Sequence, residues 1–88
     1  MLISIIVASY NYNQYIRQVL DSLVAQTYTN WEAIVIDDGS TDKSVDTIRE
    51  YEEKDSRIKL YQHENGANKG LAKSLKLAIA NSKGTWIA

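Results

Sequence analysis

Ala33-Ile34-Val35-Ile36-Asp37-Asp38-Gly39-Ser40-Thr41-Asp42 is the stretch on which the fold turns. Its apolar, β-branched run reads as a strand buried on both faces, extending from Trp31 to Ile36. Two carboxylates close that strand and a Gly-Ser-Thr-Asp turn follows at once. In open α/β sheets the crevice outside the carboxyl ends of the strands is where ligands bind. Neighbouring strand residues point to opposite faces, which sets Asp37 and Asp38 on different sides. The bland role of Asp37 is to accept turn or cap amides. Read without its flanks, the segment is an ordinary Asx turn leading into a helix cap at Thr41 or Asp42. The helix it opens turns Val45, Ile48 and Tyr51 inward and carries Arg49, Glu50, Glu52, Glu53 and Lys54 outward.

On the amino-terminal side, Leu2 to Ala8 is another almost continuous apolar run, expected at the sheet centre, and it closes on Ser9-Tyr10-Asn11-Tyr12-Asn13. Ile16, Val19, Leu20, Leu23 and Val24 then fall on one helical face. Asn11 with Gln14, or Asn13 alone, is the expected cap of that helix. On the carboxyl-terminal side, Ile58-Lys59-Leu60-Tyr61 alternates as an edge strand does. A third helix over roughly 69–82 sets Leu71, Leu75, Ala78 and Ile79 along one stripe, and Lys83-Gly84 stops it. Thr85-Trp86-Ile87-Ala88 begins a fourth strand. Strands alternating with helices imply right-handed crossovers. The expectation is one α/β domain over 1–88: a Rossmann-like, mostly parallel sheet with helices on both faces, cut off after its fourth strand begins.

The 88 residues carry a formal net charge of -1, which argues against a nucleic-acid partner. There is no Cys, and so neither a disulfide nor a cysteine zinc site. The lone His63 has no Cys or His partner nearby in sequence and reads as a loop or strand-end residue. The acidic turn fails the calcium-loop pattern, so no metal site is expected. Trp31 and Trp86 read as core, Tyr12 and Tyr15 as packing or surface residues. A first segment too short to span a bilayer and without a charged start makes the cytoplasm the expected location.

Taken in order, Ser4-Ile5-Ile6-Val7-Ala8-Ser9-Tyr10-Asn11, Gln26-Thr27-Tyr28 with Trp31-Glu32, Val35-Ile36-Asp37-Asp38-Gly39-Ser40-Thr41-Asp42 and Asn68-Lys69-Gly70-Leu71-Ala72 resemble the opening of a family 2 glycosyltransferase. The resemblance implies a GT-A type fold and a nucleotide-sugar donor, a UDP-sugar above all. It further implies an inverting transfer to a saccharide or lipid-linked acceptor in cell-envelope polysaccharide synthesis. Tyr10 matches the residue that stacks on the base, and Asp38 the carboxylate that accepts the base imide N–H. The substrate-binding set carried over is Ala8, Ser9, Tyr10, Asn11, Asp37, Asp38, Gly39 and Lys73. Ala8 stands where the family usually has Pro. Lys73 and Lys76 stand where it usually has a small residue and Asn; they reach toward donor phosphates or simply form a solvated face. Asn68 reads as a helix cap.

In such enzymes the strand begun by Trp86-Ile87 runs on into an Asp-x-Asp motif for a divalent cation, Mg or Mn, and the general base lies further on. Neither motif is among these 88 residues. The expectation is therefore a fragment with no catalytic residue of its own, inactive alone, from an enzyme peripheral to the inner face of the membrane. Two other readings compete: a stand-alone nucleotide-binding module, and an assembly fragment that forms homo-oligomers through its open sheet edge.

Overall fold

A computed structural model of the chain describes residues 2–63, 67–84 and 86–87, with Leu71, Trp86 and Ile87 described by backbone alone. Strands and helices alternate: β1 (Ile3–Ser9), α1 (Asn13–Ala25), β2 (Trp31–Asp37), α2 (Ser44–Lys54), β3 (Ile58–Gln62), α3 (Leu71–Asn81) and β4 (Trp86–Ile87). The sheet order is β3-β2-β1-β4 and every pairing is parallel. This is the Rossmann-like α/β sheet expected from the sequence. The alternating β3 lies at an edge, and β1 lies inside.

Strand β2 is buried at every position from Trp31 to Asp37, because β1 and β3 flank it and helices cover both of its faces. Trp31, Ala33 and Val35 meet Ile16 and Leu20 of α1 and Ile48 of α2. The alternate residues Ile34 and Ile36 meet Ala78 of α3. Strand β1 is only half-buried over most of its length, since β4 pairs with it over two residues. Trp31 is buried as expected, with the Arg57 guanidinium stacked 4.0 Å from its ring centroid.

Two helix faces differ from their periodicity. Val24, in the last turn of α1, is exposed, although Leu20 one turn earlier is fully buried. In α3 the inward residues are Ser74 and Ala78 with Leu77 beside them, while Leu75 and Ile79 face outward. The helix sits one residue round from its most apolar stripe. Small side chains at 74 and 78 let it approach Ile34 and Ile36 closely, and the Ser74 hydroxyl donates to Gly70 O at 3.0 Å, so its burial leaves no donor unpaired. The expected Leu71 and Trp86 packing lies outside the described side chains.

The far end of the sheet is locked by a buried carboxylate. Glu32 Oε2 accepts the Ser4 hydroxyl and the Lys83 amide, each at 2.6 Å, and Gly84 N–H donates to Ser4 Oγ at 2.8 Å. Burial raises the Glu32 pKa, but the Ser4 and Lys83 hydrogen bonds outweigh it and hold the carboxyl below its ordinary value. This lock fixes the turn between α3 and β4 to β1 and β2.

Candidate functional site

The site is built where β1 and β2 end in register, with Ser9 opposite Asp37 and the Asp38 amide donating to Ser9 O at 2.8 Å. Asn11 adopts a left-handed φ of 48°, which Asn tolerates better than most residues. Its side-chain carbonyl accepts the Thr41 amide at 2.7 Å, and its own amide donates to Ser40 Oγ at 2.8 Å. Helix α1 is capped from the other loop. Tyr12 N–H donates to Ser44 Oγ at 2.9 Å and Asn13 N–H to Asp42 Oδ2 at 3.1 Å. The expected local cap by Asn11 or Asn13 is therefore replaced by a cross-loop one. Asp42 also accepts the amide and hydroxyl of Ser44, but it lies one residue before the N-cap of α2, which is Lys43 rather than the expected Thr41 or Asp42. The Ser44 hydroxyl is the main reason its carboxyl lies below the ordinary value.

Asp37 and Asp38 part as the strand alternation requires. Asp37 is fully buried and accepts the Ser40 amide at 2.9 Å and the Ser40 hydroxyl at 2.5 Å. Asp38 turns to the other side. Its Oδ1 accepts Lys69 N–H at 2.7 Å, and both carboxylate oxygens share Gly70 N–H at 3.2 and 3.1 Å. Asn68 does not cap α3 with its side chain; its Nδ2 donates to Asp38 O at 3.0 Å, and Gly70 occupies the N-cap position. Gly39, at φ 74°, lies so close to this segment that an added Cβ would sit 2.7 Å from Asn68 N. A carboxylate has about four acceptor positions, so Oδ2 keeps capacity for a further donor.

Between these strand ends lies a cavity of about 350 Å3 lined by Ala8, Ser9, Tyr10, Tyr12, Asp38 and Ser74. The volume is in the range of small-molecule sites. Tyr10 is 54% exposed, so its ring face is available for stacking. Ser9 Oγ is buried with no hydrogen-bond partner among the described residues, an orphan polar atom at the cavity wall. Of the eight residues singled out from sequence, Ala8, Ser9, Tyr10 and Asp38 line the cavity. Asn11, Asp37 and Gly39 shape its loops, and Lys73 is an exposed residue of α3 outside the lining. Tyr12 and Ser74 line it without having been singled out. Tyr12 lay inside the polar aromatic cluster and was legible there; Ser74 carried no signal beyond a polar residue in a helical stripe.

A divalent cation needs several hard oxygen ligands. Among the described residues no group of three or more His, Cys, Asp or Glu side chains is placed to hold a metal. With Asp37 committed to Ser40 and Asp38 to the Lys69 and Gly70 amides, the described residues do not fit a cation cradle.

The family model for Glycosyl transferase family 2 matches residues 4–88. The chain belongs to glycosyl transferase family 2. It is 39% identical over 85 residues to Glycosyltransferase GlyA of Streptococcus pneumoniae serotype 4 (strain ATCC BAA-334 / TIGR4), covering 97% of this chain and 12% of GlyA. It is 36% identical over 87 residues to TuaG of Bacillus subtilis (strain 168), a glycosyltransferase provisionally assigned to teichuronic acid biosynthesis, covering 99% of this chain and 34% of TuaG. Among solved structures, S. aureus TarS 1-349 in complex with UDP superposes with a TM-score of 0.87 at 32% identity, covering 99% of this chain and 26% of TarS 1-349. The mannosyltransferase PcManGT from Pyrobaculum calidifontis, in complex with GDP-Man and Mn2+, gives 0.86 at 26% identity, over 97% of this chain and 25% of PcManGT. The fold is thus that of GT-A glycosyltransferases, and the chain spans only 12% and 34% of the lengths of the two curated relatives named here.

Proposed function

We propose that residues 1–88 are the N-terminal donor-nucleotide part of an inverting glycosyltransferase, one that moves a sugar from a UDP-sugar to an acceptor hydroxyl. The observation that carries this reading is the meeting of Ala8, Ser9, Tyr10 and Asp38 around one cavity at the carboxyl ends of adjacent strands. Tyr10 stacks on the base. Asp38 accepts the base imide proton, and the orphan Ser9 hydroxyl donates to a base carbonyl. A carboxylate acceptor binds more strongly than a neutral one and is left desolvated by a base without that donor, which gives selectivity. Support for a UDP donor comes from the UDP complex of TarS at 32% identity.

The chemistry that follows binding would need a group to neutralise the leaving diphosphate and a base to activate the acceptor oxygen. The 88 residues contain no Asp-x-Asp sequence. In our reading this chain alone binds donor nucleotide and does not transfer sugar, and the Mg or Mn ion belongs to the longer enzyme. The acceptor is a saccharide or lipid-linked saccharide of the cell envelope, and the enzyme works in the cytoplasm at the membrane face. Among the described residues no helix is long and apolar enough to cross a membrane.

Titration of the chain with UDP, followed by amide NMR, tests the reading. Saturable shifts are expected around Tyr10 and Asp38, and both Tyr10→Ala and Asp38→Ala should weaken them at the same ligand concentrations. Base stacking of roughly 1 to 3 kcal/mol translates into about a fivefold to 150-fold loss for Tyr10→Ala. A dispersed spectrum indifferent to UDP would sink the donor assignment and favour the strand-pairing assembly fragment.

A further inference from the structure

We propose that His63 is a positioning residue for base recognition, acting through Ser74 to fix where the Asp38 carboxylate stands in the cavity wall. The inference rests on the base-pocket reading above. His63 directly follows β3, so the ends of three neighbouring strands converge here: His63 after β3, Asp38 after β2, and Ser9 with Tyr10 at the end of β1. The side chains of His63 and Asp38 are 9% and 14% exposed. His63 Nε2 lies 2.9 Å from Ser74 Oγ and 3.6 Å from Asp38 Oδ1. Both of those residues line the cavity.

The hydrogen-bond pattern assigns the tautomer. Ser74 has one hydroxyl proton, and Gly70 O, 3.0 Å away, can only accept it. Ser74 Oγ therefore accepts from the ring, and Nε2 carries the hydrogen. The same assignment turns an N–H rather than a lone pair toward Asp38. The carboxylate is thus held between the Lys69 and Gly70 amides and the imidazole edge. Without the ring, Ser74 loses its donor and the carboxylate gains room to move away from the base.

The test compares binding of UDP with that of its 3-methyluracil analogue, which stacks alike but lacks the imide proton. The wild-type chain is expected to prefer UDP by roughly tenfold to a hundredfold, the worth of one hydrogen bond to a charged acceptor. His63→Ala should cut that preference at least about threefold while changing affinity for the methylated ligand less than about twofold, a loss confined to the Asp38 contact, and Ser74→Ala, which also alters the cavity lining, should cut the preference by a similar factor. His63→Gln, which can bring an N–H to the same place, should retain most of the preference. A packing role alone weakens both ligands together and leaves the ratio at the wild-type value; that result overturns the inference. A wild-type chain that binds both ligands equally well overturns the Asp38 base contact itself, a separate failure. Amide dispersion reports folding of each variant, and should His63→Ala collapse, the ratios for Ser74→Ala and His63→Gln decide.

Discussion

Gly39→Ala is expected to damage the fold and the cavity together. At φ 74° an alanine is strained, and its Cβ would stand 2.7 Å from Asn68 N and 3.0 Å from Ala67 C and Asn68 Cα. Left-handed backbone costs a residue with a Cβ about 1 to 2 kcal/mol. Relieving the contact requires the 67–70 segment to retreat by about 0.5 Å or more, toward normal carbon contact distance. The Gly70 amide, already 3.1 and 3.2 Å from Asp38, then passes beyond hydrogen-bonding reach. Losing that charge-assisted bond adds about 1 to 3 kcal/mol, so the total comes to roughly 2 to 5 kcal/mol. A small domain has about 5 to 15 kcal/mol of stability in all, so the effect is large. Urea unfolding followed by fluorescence of the buried Trp31 measures it, and a UDP titration of the same variant reports the displaced Asp38 wall. Gly39→Asn separates the two causes, because Asn tolerates positive φ but carries the same Cβ. If steric contact dominates, Asn falls within about 1 kcal/mol of Ala. A loss below about 1 kcal/mol for Ala, or full recovery with Asn, would refute the close-approach argument.

Glu32→Ala should cost about 3 kcal/mol in denaturant unfolding, since the Ser4 hydroxyl and Lys83 amide would lose a buried charged acceptor. A change under about 0.5 kcal/mol would mean that water replaces the carboxylate without penalty. Ala78→Leu should cost about 1 to 3 kcal/mol by overpacking Ile34 and Ile36, whereas Ile79→Ser should stay within about 0.5 kcal/mol. The reverse order would restore the apolar stripe as the buried face of α3. Thermal midpoints should be flat above about pH 5 and fall as the solution is made more acid. Glu32, Asp42 and Asp55 all have folded values below their ordinary ones, the last chiefly through its hydrogen bond with Arg57. The unfolded chain therefore binds more protons in acid, and this stabilisation is present above the unfolded pKa and lost as pH falls through the folded values. A midpoint rising from pH 5 to pH 3, approximately the titration range of carboxylates, would contradict that sign.

The sequence by itself determined the alternation of strands and helices, the parallel sheet and the opposite facing of Asp37 and Asp38. Those features follow from short-range periodicity: a buried parallel strand is apolar at every position, and successive strand residues must point apart. The ordered motifs through Asp37-Asp38-Gly39 also carried the family. Tertiary structure alone decided which polar groups share the cavity. His63 and Ser74 meet Asp38 because two right-handed crossovers bring the ends of β2 and β3 and the start of α3 to one edge, and nothing in the local pattern around either residue records that meeting. The same holds for the caps, where Asp42 and Ser44 serve α1 across the loops that Asn11 joins. The rotation of α3 was hidden for a related reason. Hydrophobicity ranks Leu75 and Ile79 above Ser74 and Ala78, but the distance between helix and sheet, set by side-chain size and by the hydrogen bonds Ser74 makes, favours the smaller pair.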